Sequence, residues 1–104
     1  MKTFAIIPSD KPEKKFFALH IDDKGEPRRI YFGDSNYDDY TTYKENAEDH
    51  KERYLMRHVK REDWDSWENP SFWSRWFLWE KKDKRDAVAY IERKFKIRIM
   101  TKWL

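Results

Sequence analysis

The chain has 104 residues, of which 41% are charged and 18% aromatic, and 23 basic against 20 acidic residues leave a net charge of +3. One domain with one core is expected at this length, and disorder is excluded because disordered chains combine few aromatics with a large net charge. The absence of cysteine excludes disulfides, thiolate metal sites and cysteine nucleophiles.

No apolar run approaches the roughly 18 residues that a membrane span requires. The apolar stretch near Met1 is also too short for a signal peptide. We therefore expect an intracellular protein that is not secreted and has no membrane partner.

The charge is unevenly distributed along the chain. Residues 21–50 carry nine acidic against four basic residues, whereas residues 81–104 carry nine basic against three acidic residues. Two readings stay open: solvated faces that attract each other within the fold, or a basic strip that contacts phosphates.

The N-terminal third has the composition of β-structure. Residues 4–8 predict a short strand at the edge of a sheet or a mobile start, ended by Pro8. Two runs rich in β-formers, 15–21 and 28–33, flank a turn sequence that contains Asp, Gly and Pro. This pattern predicts a β-hairpin over residues 15–33.

A loop and a first helix are predicted next. Residues 34–46 lack periodicity and are rich in Asp, Asn, Ser and Thr, which favour turns. Asn46 is a suitable N-cap for a helix over residues 47–61, which has acidic residues in its first turn and basic residues near its end. One apolar stripe of this helix should be buried: Tyr54, Leu55, His58 and Val59.

The second helix is predicted over residues 70–81. Asn69 is the expected cap and Pro70 suits the first helical position. Aromatic side chains surround most of this helix: Phe72, Trp73, Trp76, Phe77 and Trp79. They leave a polar face of mainly Ser71, Ser74 and Arg75. A helix that is hydrophobic on nearly all sides is buried by the rest of the fold, so most of these rings should belong to the core.

The third helix is predicted over residues 84–95, capped by Asp83. Residues 97–104 alternate apolar and basic side chains and fit either an edge strand or an extended tail. The fold class predicted is α+β, in which an N-terminal β-hairpin or small antiparallel sheet packs on three helices within a single domain, residues 1–104.

Nucleic acid is the expected partner. The last helix and the tail carry most of the basic residues assigned to phosphate contacts: Lys82, Arg85, Arg93, Lys94, Lys96 and Arg98. Arg53 and Arg57 lie one helical turn apart and form a second expected contact. Such bases give sequence-independent affinity, and aromatic rings add stacking on single strands. No motif specifies the type of nucleic acid.

The sequence offers little support for catalysis. The histidines lack the spacing of a helical zinc pair, and His58 is interpreted as a core histidine. The two glycines do not form a phosphate-binding loop, and no cofactor is predicted. Five acidic residues fit either a solvated loop or the metal site of a nuclease, which is the weakest alternative: Asp38, Asp39, Glu45, Glu48 and Asp49.

A second alternative is a protein-interaction or structural module. It would dock on a partner or on a second copy through the Trp-rich helix or the C-terminal tail, which ends in Trp103 and Leu104. The loop could also fold back on the first helix, and Tyr40, Thr41, Arg57 and His58 would then converge in a pocket.

A pattern from Gly33 to Trp79 resembles a family of small uncharacterised proteins of large DNA viruses of algae and protists, also found in phage. The residues that carry the resemblance are Gly33, Tyr37, Asp39, Tyr40, Thr41, Arg53, Tyr54, Arg57, His58, Glu62, Trp64, Ser74, Arg75 and Trp79. The resemblance implies viral origin and a shared fold, for a family with no assigned activity. The function we expect is that of a non-catalytic viral accessory or virion-associated protein that binds nucleic acid in the infected host or in the virion. One position departs from the family pattern, since Tyr43 stands where a histidine is associated with the family.

Overall fold

The computed structural model describes all residues, 1–104, as four strands and three helices. The strands are β1 (Thr3–Pro8), β2 (Lys14–Ile21), β3 (Pro27–Asp34) and β4 (Arg98–Met100). The helices are α1 (Ala47–His58), α2 (Pro70–Trp73), which continues into a π-helical turn (Ser74–Leu78), and α3 (Lys84–Phe95). A sheet packed with helices confirms the α+β class. None of the helices has both the length and the apolar character needed to cross a membrane.

The four strands form one mixed sheet in the order β3-β2-β1-β4. β1 and β3 each pair antiparallel with β2, whereas β4 pairs parallel with β1, Phe4 lying opposite Ile99. The prediction that residues 4–8 lie at a sheet edge or form a mobile start is therefore wrong, since β1 has a neighbour on both sides. β4 resolves the alternative left open for the tail, because residues 98–100 form a short edge strand.

The core lies between one face of the sheet and the tryptophan helix, the name used here for α2 with its π-helical turn. Trp73 and Phe77 are fully buried, and Trp76 is nearly so. The sheet contributes Phe4, Ile6, Ala18, Ile30, Phe32 and Ile99. The prediction that most rings of the tryptophan helix are core residues is thus confirmed. Each ring buries about 150 to 250 Å², so a few rings replace many aliphatic side chains.

The tryptophan helix ends earlier than predicted, at Leu78 rather than at residue 81. Trp79 leaves the helical conformation and stacks on Tyr54 with ring centroids 4.3 Å apart. The last turn is a π-helix, a rare and widened turn that is frequently found at functional sites. The regular helix predicted here placed Arg75 on a polar face, but this residue is buried.

Helix α1 lies at the periphery of the domain and ends at His58 rather than at residue 61. Its predicted apolar stripe is not buried, because Tyr54 alone is buried and Val59 is 53% exposed. The predicted N-cap Asn46 makes no side-chain capping bond and adopts a left-handed conformation, φ 56°. By contrast, Asp83 caps α3 by accepting the backbone N–H of Arg85 at 2.7 Å.

Candidate functional site

A cleft of about 870 Å³ opens between the end of the hairpin, the following loop, the C-terminal part of α1 and the tryptophan helix. Most of the residues that carry the sequence resemblance line it: Gly33, Tyr37, Asp39, Tyr54, Arg57, His58, Glu62, Ser74 and Trp79. Cavities of this size are typical of ligand sites. The cleft is therefore the first candidate site.

One wall of the cleft is a loop held by the buried carboxylate of Asp39. Its Oδ2 accepts a hydrogen bond from Lys15 Nζ at 2.6 Å, and its Oδ1 accepts the backbone N–H of Thr41 at 2.8 Å and the Thr41 hydroxyl. Lys84 Nζ donates to that hydroxyl at 2.7 Å. Burial lowers the pKa of Lys84, although the charge of Asp39 opposes this shift. This cluster stabilises the loop.

The same loop is held by Lys82, which precedes α3 and whose Nζ donates to the carbonyls of Tyr40 and Tyr43, each at 2.7 Å. Tyr40 in turn donates its hydroxyl proton to Glu48, and this hydrogen bond, with burial and the negative charge of Glu48, raises the pKa of Tyr40 to about 12. Lys82 was predicted to contact phosphate, but its ammonium group already has two partners. It therefore contributes to loop structure.

At the back of the cleft, His58 is oriented by a carboxylate and a ring. Its Nδ1 lies 2.7 Å from Oε2 of Glu62, whose Oε1 accepts the indole N–H of Trp64 at 3.0 Å. The imidazole stacks on Tyr54, 4.4 Å between centroids. Burial raises the pKa of Tyr54. The side chain of His58 is one-third exposed, so the interpretation as a core histidine is wrong.

Arg75 is one of two buried charged or polar residues of the chain and does not line the cleft. Its guanidinium lies 5.2 Å from the ring of Trp64 and 4.3 Å from the ring of Trp76. Nη1 of Arg75 lies 2.9 Å from Oε1 of Glu80. This contact is an ion pair without hydrogen-bond geometry. Arg75 thus belongs to the scaffold.

The predicted convergence of loop and helix is partly wrong. Arg57 and His58 line the cleft as expected, but Tyr37 to Asp39 face them, whereas Tyr40 and Thr41 do not line it. The sequence interpretation also missed Lys14 and Arg61 as lining residues. Arg61 could have been found, since it follows Arg57 by four positions.

A basic surface lies on and after α3. We define it by five exposed residues that form no ion pair: Arg85, Arg93, Lys94, Lys96 and Arg98. Two of the three acidic side chains in residues 81–104 bond to backbone N–H groups instead, Asp83 at Arg85 and Glu92 at Ile99. Arg53, predicted as a second contact with Arg57, is exposed on α1.

The acidic residues considered for a nuclease are not gathered into one site. Asp39 pairs with Lys15, and Glu48 accepts the hydroxyl of Tyr40. No three His, Asp or Glu side chains lie close enough together to hold a metal ion. These residues thus provide no assembled metal site for phosphodiester cleavage.

The C-terminal tail considered for docking packs on its own domain. The indole N–H of Trp103 donates to the carbonyl of Ile6 at 2.6 Å, and its ring stacks on Phe16 at 5.3 Å. Leu104 packs against the core. Most rings of the tryptophan helix are buried as well, whereas Trp103 remains 39% exposed.

Comparison with known proteins identifies a family for the chain. No curated protein and no solved structure matches the chain. A model of a family of unknown function, DUF5754, matches residues 4–58, which span β1, the hairpin, the loop and α1. The match includes one wall of the cleft with Arg57 and His58, and it covers more than half of the sequence. The chain therefore belongs to this family of unknown function, DUF5754.

Proposed function

We propose that this protein binds nucleic acid, without catalysis, through the basic surface of α3 and the residues that follow it. The observation that carries the proposal is the charge arrangement there. Five cationic side chains are exposed without an ion pair, while Asp83 and Glu92 are directed to backbone N–H groups. Cations that form no ion pair within the protein can neutralise phosphates and release counterions, which gives affinity without sequence specificity.

Arg53 and Arg57 supply a second contact in this proposal. The segment after α1 and the last turn of α3 both meet Trp76: its indole N–H donates to the carbonyl of Trp64 at 2.7 Å, and Lys94 Nζ lies 5.0 Å from its ring. A strand bound at the basic surface can therefore continue toward the C-terminal end of α1. The viral setting, in the infected host or in the virion, is part of the proposal and rests on the sequence resemblance.

Fluorescence anisotropy with labelled double-stranded DNA, single-stranded DNA and RNA at several salt concentrations tests the proposal. If five phosphates of a duplex are contacted, the logarithm of the binding constant falls with the logarithm of salt concentration with a slope of about −4.5. Replacing Arg93→Ala together with Lys96→Ala should make this slope shallower by about 2.

The charge-matched control is Lys24→Ala with Lys44→Ala, which removes two exposed lysines from the acidic half of the chain. This variant should keep the slope of the wild type. Absence of binding to all three probes at low salt would contradict the proposal. An equal loss in both double variants would show that net charge, and not the basic surface, determines binding.

A further inference from the structure

We infer that the cleft beside α1 binds an unpaired nucleotide, with the base against Tyr37 and the phosphate on Arg57 and Arg61. The inference rests on the proposed function and deepens it, because it names the form of nucleic acid that the protein selects. It depends on a different part of the molecule from the basic surface. The two can therefore fail separately.

The first argument is that two arginines and two aspartates of the cleft form no ion pairs. Arg57 and Arg61 line it together with Asp38 and Asp63, yet neither arginine forms an ion pair with a carboxylate. Each aspartate uses one oxygen within its own turn, Asp38 for the Thr42 hydroxyl and Asp63 for a backbone N–H. Cations and carboxylate oxygens thus remain available on the walls of one cavity.

A nucleotide offers complementary groups to such a cavity. Its phosphate is an acceptor that arginine binds through paired N–H donors. Adenine, cytosine and guanine carry exocyclic N–H donors, which Asp and Glu accept in the known protein contacts to cytosine. In a duplex those edges are paired and stacked, so a cavity with free carboxylates favours a base that is unpaired.

The second argument is that the ring of Tyr37 is exposed and has no aromatic or cationic partner. This residue lines the cleft and is 70% exposed. The other five tyrosines each pack against an aromatic ring or a cation: Tyr31, Tyr40, Tyr43, Tyr54 and Tyr90. The backbone N–H of Tyr37 donates to the carbonyl of Asp34 at 3.2 Å, so its position is set by a turn. A positioned ring without a partner is a stacking surface for a base.

The experiment measures binding of a labelled single-stranded oligonucleotide of about 12 nucleotides, a length within the site sizes of single-strand binding domains. Its duplex is measured in parallel, and adenosine and uridine 5′-monophosphates are added as competitors. Tyr37→Ala and Arg57→Ala should each weaken single-strand binding at least about fivefold, the lower limit of one stacking contact. Duplex binding should change less than about twofold in Tyr37→Ala, and Arg57→Ala should weaken it less than it weakens single-strand binding, because the basic surface is intact.

Two control variants isolate the cleft. Lys60→Ala removes an exposed cation that lies between Arg57 and Arg61 in the chain and outside the cleft, and should retain single-strand binding. Tyr37→Phe keeps the ring and should bind as the wild type does. Circular dichroism should show that every variant is folded, since the replaced side chains are exposed.

Comparing the ligands and the variants distinguishes the possible ligands and tests the two proposals separately. Tighter binding of the oligonucleotide than of the mononucleotides identifies a strand as the ligand, and equal affinity identifies a free nucleotide. Unchanged single-strand binding in both Tyr37→Ala and Arg57→Ala overturns the inference. The proposed function stands in that case if Arg93→Ala with Lys96→Ala still weakens binding, and falls if that variant also binds normally.

Discussion

Lys15 Nζ lies 2.6 Å from Oδ2 of Asp39, and this buried ion pair joins the start of β2 to the loop that walls the cleft. The two side chains are 16% and 3% exposed. Because Thr41 and Lys84 bond within the same cluster, the pair connects the hairpin, the loop and α3. The geometry of the cleft therefore depends on this contact.

Replacing Asp39→Asn should lower the free energy of unfolding by about 3 kcal/mol, because it leaves the ammonium group of Lys15 poorly solvated and without its counter-ion. Urea denaturation measures the change. Asp38→Asn is the matched control, since Asp38 is an exposed neighbour in the same loop. Equal losses in the two variants would show that the ion pair does not stabilise the loop.

Gly33→Ala should destabilise the protein more than Gly25→Ala. Both glycines have positive φ, +80° and +79°, so each substitution costs about 1 to 2 kcal/mol in backbone strain. At Gly33 the new methyl group would also lie 3.0 Å from Leu78 Cδ1 and 3.1 Å from Lys15 Cβ, whereas at Gly25 no atom lies within 4 Å. Thermal unfolding should show that Gly33→Ala lowers the free energy of unfolding by about 1 to 3 kcal/mol more than Gly25→Ala does. Similar melting temperatures would contradict this contact.

The free energy of unfolding should fall as the pH rises from about 10 to about 12. The folded protein holds the phenolic proton of Tyr40 more tightly than the unfolded chain does, since the hydrogen bond to Glu48 raises its pKa from 10.0 to about 12. This contribution is fully present below the pKa of the unfolded chain and is lost as the pH passes the folded value.

Urea denaturation across this pH range, with Tyr40→Phe as the test variant, checks the assignment. The variant lacks the ionisable hydroxyl, so its stability should depend less steeply on pH than that of the wild type. Glu48→Gln removes the negative charge beside the phenol of Tyr40. The fall in the free energy of unfolding should then begin at a lower pH. An unaltered pH profile in Tyr40→Phe would assign the effect to another group.

Trp103→Ala should lower the free energy of unfolding by about 2 kcal/mol, since it removes the stacking on Phe16 and the hydrogen bond to Ile6. Thermal unfolding measures this loss, and light scattering should show the same mass as for the wild type. Lys102→Ala is the control, because Lys102 is exposed. A fall in mass with unchanged stability would favour the docking alternative for the tail.

Local sequence patterns predicted some structural elements correctly and others incorrectly. The hairpin was predictable because turn residues separate two β-rich runs, and the cap of α3 because Asp83 bonds to N–H groups two and three residues away. Asn46 has a favoured capping residue type, yet it adopts the left-handed conformation. The conformation of Asn46 depends on how the preceding loop is held. No residue within one helical turn of Asn46 indicates this conformation.

The candidate site was predictable only in part. The i, i+4 spacing of Arg57 and Arg61 is visible in the sequence, but the aspartates opposite them come from separate turns. Arg75 was expected on the polar face of a regular helix, whereas it is buried, with its guanidinium 5.2 Å from the ring of Trp64 and 4.3 Å from the ring of Trp76. Trp64 lies outside the tryptophan helix, so this contact depends on tertiary packing, which residue spacing does not reveal.

The sequence by itself determined the fold class, the hairpin and the burial of the aromatic helix, since these follow from backbone preferences and the periodicity of large rings. Tertiary structure decided the parallel pairing of β4 with β1, the burial of Arg75 and the walls of the cleft. Each of these joins residues far apart in the chain, as Phe4 joins Ile99. Such contacts form only where the packing of the whole core brings two segments together, and no local pattern records that packing.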